Sequence, residues 1–210
     1  MNSPATTDVP WEDVWHSVAS ELSDGWARGL ERFVTEDVLR FATVKAIAHH
    51  GIAPAHLETE WRRSGVRDSV DLALLNEPKS AIEFKYPREP RESNAAWTQH
   101  AGETIKDFYR LAYMPPEFAE RWAVQLVTPR FDRYISNFQE RYGIRLAMNP
   151  GHTTILEPAA VRALPATATR ILDRWISEPH TVRANCLAEY PVADLRLLVH
   201  RVVSVELSGV

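Results

Sequence analysis

The chain has 210 residues, of which 45% are hydrophobic and 25% are charged, and its formal net charge is -4. This composition is typical of a globular protein that buries a core and forms one domain, with or without an appended subdomain, and it disfavours disorder over most of the chain. A weakly acidic chain lacks the strong positive charge of many nucleic-acid-binding domains. A local group of arginines can bind phosphates even in a chain of negative net charge.

Two helices are predicted in the N-terminal part of the chain. From Trp11 to about Ala27, apolar residues recur every three or four positions. This spacing is typical of an amphipathic helix that covers a core or binds a partner. Thr35 is a suitable N-cap for a second helix that runs to His50, and Gly51 is positioned to end it.

Three strands in succession are predicted next, as a meander. Leu57–Arg62 is the first strand, and Ser64-Gly65 suits a tight turn into the second. The second strand is the run Ser69–Leu75. The third is Ala81–Tyr86, which ends before Pro87 because proline cannot donate to a ladder.

The next segment predicts a helix, a strand and another helix. The first helix begins near Asn94 and stops before Pro115, and Trp122–Val127 suits a buried strand. Tyr134–Tyr142 is helical, with Gly143 as its terminator. The expected core is therefore an α/β fold with the order αβββαβ and a mixed central sheet.

The C-terminal segment predicts an added helix and a hairpin. The helix lies near Ala159–Ser177, and two apolar stretches follow at Val182–Leu187 and Leu195–Val205. We expect three parts in the chain: an N-terminal amphipathic helix at 1–30, an α/β core at 31–150 and an extension packed on the core at 151–210.

Asp71, Glu83 and Lys85 are the candidate catalytic residues. Both of their strands alternate apolar and polar positions, so the three side chains are expected on one face of the sheet. Carboxylate oxygens bind Mg²⁺ or Mn²⁺, and a nearby lysine orients or deprotonates a water or offsets charge on a phosphate. A carboxylate in an apolar strand is costly unless it has a partner or a metal. The pattern therefore points to phosphodiester hydrolysis.

The motif resembles that of the PD-(D/E)XK nuclease superfamily, in which one strand carries an acidic residue and the next an acidic-x-Lys triplet. Here Val70-Asp71 replaces the Pro-Asp dipeptide, and the triplet is Glu83-Phe84-Lys85. The resemblance covers roughly Thr35 to Thr128. It implies a restriction-endonuclease-like fold, a Mg²⁺ or Mn²⁺ ion held by Asp71, Glu83 and the backbone carbonyl of Phe84, and cleavage of DNA rather than RNA.

The resemblance also gives roles to two polar helix residues. Glu36 matches a glutamate on the helix before the meander, which orients the metal shell or binds a second ion. The helix dipole alone also favours an acid in a first turn, and Glu58 and Glu60 are alternatives for this carboxylate. Gln99 resembles a glutamine that follows the triplet and holds the water or the DNA backbone, although an exposed helix glutamine has the same appearance.

Basic residues near the motif are the candidate nucleic-acid contacts. Clusters of arginine are more often solvated surface than binding sites. The candidates are Arg62, Arg63, Arg67, Arg88, Arg91, Lys106 and Arg110.

The expected function is a Mg²⁺- or Mn²⁺-dependent nuclease, with a protein partner, an activator or a homodimer left open. Twenty arginines against four lysines indicate a GC-rich bacterial genome, and with it a setting in defence or repair. Two alternatives stay open: a nuclease-fold subunit that binds nucleic acid or protein without cutting, and an enzyme for a small nucleotide or phosphate ester. The sequence contains neither G-x-S-x-G nor G-x-x-x-x-G-K-[ST], which disfavours a triad hydrolase and a nucleotide motor.

The location is expected to be cytoplasmic, without a membrane partner. Residues 1–8 lack a basic segment followed by an apolar core, and no apolar run reaches the ~18 residues of a membrane-spanning helix. The single cysteine, Cys186, excludes an intramolecular disulfide and a cysteine-rich zinc site.

Overall fold

The structure is a computed structural model that describes residues 8–62, 69–87, 94–177 and 180–206. These residues form an α/β protein built on a seven-stranded mixed sheet. The predicted Ser64-Gly65 turn lies outside the described residues.

The helices are α1 (Trp11–Ala27), α2 (Glu36–His49), α3 (Asn94–Ala112), α4 (Pro129–Ser136), α5 (Phe138–Tyr142), α6 (Pro158–Arg162) and α7 (Ala166–Leu172). The strands are β1 (Leu57–Arg62), β2 (Ser69–Leu74), β3 (Lys79–Lys85), β4 (Phe118–Val127), β5 (Thr153–Leu156), β6 (Thr181–Val192) and β7 (Leu195–Glu206). Short 3₁₀ turns occur at Glu31–Phe33, Pro54–His56 and Asp173–Ser177.

The strand order in the sheet is β1-β2-β3-β4-β7-β6-β5. Strands β1, β2 and β3 form an antiparallel meander, and β4 lies parallel to β3. A parallel pair needs a long crossover, and α3 provides it. The predicted order of a helix, three strands, a helix and a strand is therefore confirmed. Antiparallel pairing continues from β4 through β7 and β6 to β5.

The two faces of the sheet pack against different helices. Ile82 and Phe84 of β3 share a hydrophobic cluster with buried residues of α1 and α2. Ala81 of the same strand belongs to a second cluster, which contains the apolar face of α3. Because side chains alternate along a strand, Glu83 and Lys85 project to the α3 side. Helices thus cover both faces of the sheet, and the charged residues Glu83 and Lys85 lie on the face that α3 covers.

Local chemistry explains α2, which begins and ends as predicted to within one residue. The Thr35 hydroxyl accepts a hydrogen bond from the Val38 N–H at 3.2 Å and caps the first turn. At the other end Gly51 has φ +84°, a left-handed conformation that favours glycine. Glu36 is therefore fixed in the first turn of the helix.

Two predicted helices differ from the observed ones. The helix expected at 134–142 begins earlier, at Pro129, because Thr128 caps a first turn by accepting from the Phe131 N–H at 3.1 Å. It is also divided into α4 and α5. The helix expected at 159–177 is divided into α6, α7 and a 3₁₀ turn. Pro165 lies between α6 and α7, where its missing N–H and its ring interrupt a continuous helix.

The predicted C-terminal hairpin forms β6 and β7, and β7 pairs with β4. These strands therefore extend the central sheet. The division of the chain into three parts at 30 and 150 stays a prediction. Within the described ranges, no helix is long and apolar enough to cross a membrane.

The close packing of α3 against α7 can be tested at Gly102. A Cβ built there would lie 3.0 Å from the Ala168 Cα and 3.1 Å from its carbonyl oxygen. We expect Gly102→Ala to lower the free energy of unfolding by about 1 kcal/mol or more, because overpacking outweighs the helix propensity of alanine.

The matched control is Gly25→Ala in α1, where nothing lies within 4 Å of the added Cβ. We expect it to raise the free energy of unfolding by roughly 0.5–1 kcal/mol. Urea unfolding measures both variants. Equal effects at the two positions would contradict the close approach of α3 and α7.

Candidate active site

Strands β2 and β3 place Asp71 and Glu83 side by side. Their antiparallel ladder pairs Leu72 with Ile82, so the next positions in the register are Asp71 and Glu83. Lys85 follows two residues along β3 and projects to the same side. The structure thus brings the three predicted residues to the sheet face that α3 covers.

Asp71 is fixed by one backbone group and one cation. Its Oδ2 accepts a hydrogen bond from the Phe84 N–H at 2.7 Å, and its Oδ1 lies 3.6 Å from Nη2 of Arg40 on α2. Arg40 also contacts Glu60 of β1 at 2.9 Å. Burial raises the pKa of the Asp71 carboxyl, although the Phe84 N–H and Arg40 oppose this shift. Glu60, the alternative for the helix glutamate, therefore lies at the edge of the site as a partner of Arg40.

Glu83 is the most buried carboxylate of the predicted set, with 2% of the residue exposed. Both of its carboxylate oxygens accept from Nη1 of Arg110 on α3, at 2.9 and 2.8 Å. Burial, followed by the charges of Asp107 and Asp71, raises its pKa well above the usual range, while Arg110 opposes this shift. Negative charge is therefore crowded around Glu83 even with its arginine in place.

Lys85 is held between two carboxylates. Its Nζ lies 3.3 Å from Asp107 Oδ2 and 3.5 Å from Glu36 Oε1. The same Glu36 oxygen accepts from the Tyr86 N–H at 3.1 Å. Burial acts to lower the pKa of the Lys85 amine, but Asp107 and Glu36 outweigh it and raise the pKa above its ordinary value. The ammonium is therefore protonated at neutral pH, where it offsets negative charge and does not take a proton from water.

Asp107 is the functional candidate that sequence reasoning missed. It lies on α3 with 4% of the residue exposed, between Lys85 and the Arg110 guanidinium, whose Nη1 is 3.5 Å from Oδ1. Burial raises the pKa of its carboxyl to about 6, against the opposing charges of Lys85 and Arg110. The spacing in the sequence indicates that Asp107 has charged neighbours, because it is four residues after Glu103 and three before Arg110, on the side of the helix that carries both.

The other predicted residues are spread around this centre. Gln99 donates from Nε2 to Glu103 Oε1 at 3.2 Å, and Glu103 lies about one turn before Asp107 on α3. Lys106 is half-buried on α3, and Arg62 is exposed on β1. Arg110, predicted as a phosphate contact, instead binds Glu83. Arg63, Arg67, Arg88 and Arg91 lie outside the described residues.

These side chains form one group, termed here the charge cluster. Burial is the main cause that raises the carboxyl pKa values of Asp71, Glu83 and Asp107, and neighbouring acids add to the shift at Glu83 and Asp107. In the part of the chain that the structure describes, no group of three or more His, Cys, Asp or Glu side chains is arranged to hold a metal ion. The members of the cluster are Glu36, Arg40, Asp71, Glu83, Lys85, Asp107 and Arg110.

Comparison of the chain with protein-family models, with curated proteins and with solved structures finds no match. The function is therefore argued from the charge cluster and from the fold that positions it.

The pairing of Arg110 with Glu83 can be tested by removing the cation. We expect Arg110→Met to lower the free energy of unfolding by about 3–5 kcal/mol at pH 7, because it removes the cation that pairs with the buried Glu83 carboxyl group. The raised pKa of Glu83 means that the folded state favours the protonated carboxyl. The loss should therefore be smaller at pH 5 than at pH 7.

The double variant Glu83→Gln/Arg110→Met removes both charges and serves as the control. We expect it to recover part of the stability that Arg110→Met loses at pH 7, because no buried charge is left unpaired. Urea unfolding at both pH values measures the set. Equal losses in the single and double variants would contradict this ion pair.

Proposed function

We propose that the protein is a metal-dependent nuclease of the PD-(D/E)XK type, which hydrolyses phosphodiester bonds in DNA. The observation that carries the proposal is the placement of half-buried Asp71 and buried Glu83 beside the charged Lys85, on one face of β2 and β3. The αβββαβ order of the elements around this site supports a restriction-endonuclease-like core. Glu36 adds support, because it reaches Lys85 from the preceding helix.

The donor set fits a hard divalent cation. Mg²⁺ and Mn²⁺ prefer oxygen ligands, and burial together with the charges of Asp107 and Asp71 raises the pKa of Glu83, which a nearby cation would oppose. The Phe84 N–H points at Asp71, and the N–H and C=O of one strand residue lie on the same side of the strand. Asp71, Glu83 and the Phe84 carbonyl are the groups that would hold the ion.

The residues of the cluster then have separate roles in the reaction. When bound, a divalent cation polarises the phosphate and lowers the pKa of a water. The Lys85 ammonium neutralises the charge that develops on the phosphoryl oxygens. Glu36 orients this ammonium and is itself fixed by the Tyr86 N–H. Of the roles predicted for Lys85, charge stabilisation is the one that its raised pKa supports.

The nucleic-acid contacts remain part of the proposal. Arg62 and Lys106, together with the arginines outside the described residues, are proposed to bind backbone phosphates. Arg110 is proposed to neutralise Glu83 instead, since its side chain is committed to that carboxylate. A cytoplasmic setting in bacterial defence or repair, with a protein activator or a second copy of the chain, completes the proposal.

One observation favours a second candidate, a nuclease-fold subunit that binds nucleic acid or a protein without cutting. Both oxygens of Glu83 already accept from Arg110, and Asp71 Oδ2 already accepts from the Phe84 N–H. Carboxylates satisfied in this way need no metal to remain in the core. A metal-binding measurement separates the two candidates.

The proposal is tested by cleavage of supercoiled and single-stranded DNA with Mg²⁺ or Mn²⁺, with EDTA as the negative control. We expect the wild type to cut and Lys85→Ala to lose about 10²–10³ in kcat, the usual effect of removing one charge-stabilising donor. Lys45→Ala is the matched control, because Lys45 pairs with Glu21 on the surface at 3.1 Å. It should cut like the wild type.

Calorimetric titration with Mn²⁺ completes the test. Mn²⁺ binding that Asp71→Asn abolishes, without cutting under any condition, would favour a nuclease that needs a partner. Neither binding nor cutting by a folded wild-type protein would sink the nuclease proposal and leave the non-cutting subunit.

A further inference from the structure

Asp107 links two cations of the charge cluster, Lys85 and Arg110. One of its oxygens lies 3.3 Å from the Lys85 ammonium on β3, and the other lies 3.5 Å from the Arg110 guanidinium on α3. Arg110 in turn donates to both oxygens of Glu83. A single buried side chain therefore contacts both the predicted charge-stabilising lysine and the partner of a predicted metal ligand.

Lys85 needs such an anchor, because its ammonium is a compact charge on a flexible stem. Glu83 is two residues away on the same face of β3 and would attract it. A second contact of the ammonium is Glu36, whose side chain is 42% exposed. Half-exposed ion pairs hold a lysine weakly. Asp107 is a buried carboxylate 3.3 Å from the Lys85 ammonium, while Arg110 occupies Glu83.

Asp107 is a poor choice for stability alone. Burial raises the pKa of its carboxyl to about 6, and the charge of Asp71 adds to the shift, so the fold favours the protonated form in spite of Lys85 and Arg110. A carboxyl with a raised pKa contributes most to stability below its unfolded pKa, and that contribution is lost as the pH rises through about 6. A residue that carries a buried charge at the expense of stability is typical of a functional site.

We propose that Asp107 is a positioning residue, which holds the Lys85 ammonium away from Glu83 so that its charge is available to a bound phosphodiester. This inference deepens the proposed nuclease and rests on it for the identity of the substrate. Asp107 itself acts only through Lys85.

The position of the ammonium can be measured without any substrate, because the chain contains only four lysines. In protein labelled with ¹⁵N-lysine, a buried and ion-paired ammonium gives a signal that exchanges slowly with water, and Lys85→Arg assigns it. We expect this signal in the wild type at pH 8, its loss in Asp107→Asn and its return in Asp107→Glu. Asp132→Asn, which removes an ion pair with Arg196 at 2.7 Å on another part of the fold, should leave it unchanged.

Two results would overturn the proposal. One is a Lys85 signal that is absent from the wild type or unchanged in Asp107→Asn. The other is failure of both Asp107→Asn and Asp107→Ser to fold, which would make Asp107 a structural residue.

Kinetics give the second readout. We expect Asp107→Asn to reduce kcat for DNA cleavage about 10- to 100-fold through misplacement of Lys85, with KM and Mn²⁺ affinity unchanged, and Asp107→Glu to recover most of the rate. A loss of Mn²⁺ binding in Asp107→Asn, or a full kcat, would count against a positioning role. If the folded wild type neither cuts DNA nor binds Mn²⁺, the proposed function fails, and the Lys85 signal still decides whether Asp107 places the ammonium.

Discussion

Burial of ionised carboxylates between β3 and α3 is the constraint on which the arrangement of this protein depends. Glu83 is almost fully buried, so its charge is tolerable only if a cation comes with it. Arg110 supplies that cation, and it does so only if α3 lies over β3 at a fixed height and rotation. The parallel β3–α3–β4 crossover and the close contact of Gly102 with Ala168 set that position.

The C-terminal strands have a physical role that their sequence does not reveal. Without them β4 would be the edge of the sheet, with a row of unpaired backbone groups beside the crossover that positions α3. Strand β7 pairs with β4 from Trp122 to Val127, and β6 and β5 continue the sheet outward. The edge is thus moved to a four-residue strand, and β4 becomes an internal strand that is buried along most of its length.

Sequence reasoning predicted the elements of the core because their signals are local. The alternation in β2 and β3, the Thr35 cap and the Gly51 stop each act within a few residues, and all three agree with the structure. The ion-pair partners were not predictable in the same way, since Arg110 meets Glu83 across 27 positions of the chain. Asp107 was missed because it borders the apolar face of α3, where a polar residue is read as the start of the exposed side.

The choice of cations in the cluster follows from the different chemistry of arginine and lysine. A guanidinium never loses its charge and offers several donors, which suits the permanent neutralisation of Glu83. An ammonium is a compact point charge that turns toward any nearby anion, which suits a phosphate that comes and goes. Replacement of a buried ion-pair network by apolar residues of the same volume is often neutral or stabilising, so such a cluster is weak evidence of selection for stability. An added cation would stabilise excess buried negative charge. Any such ion must share the oxygens of Glu83 with Arg110 or displace Arg110 from them. If the proposed nuclease binds a metal there, its affinity is set by the strength of the Arg110–Glu83 ion pair as much as by the metal ligands themselves.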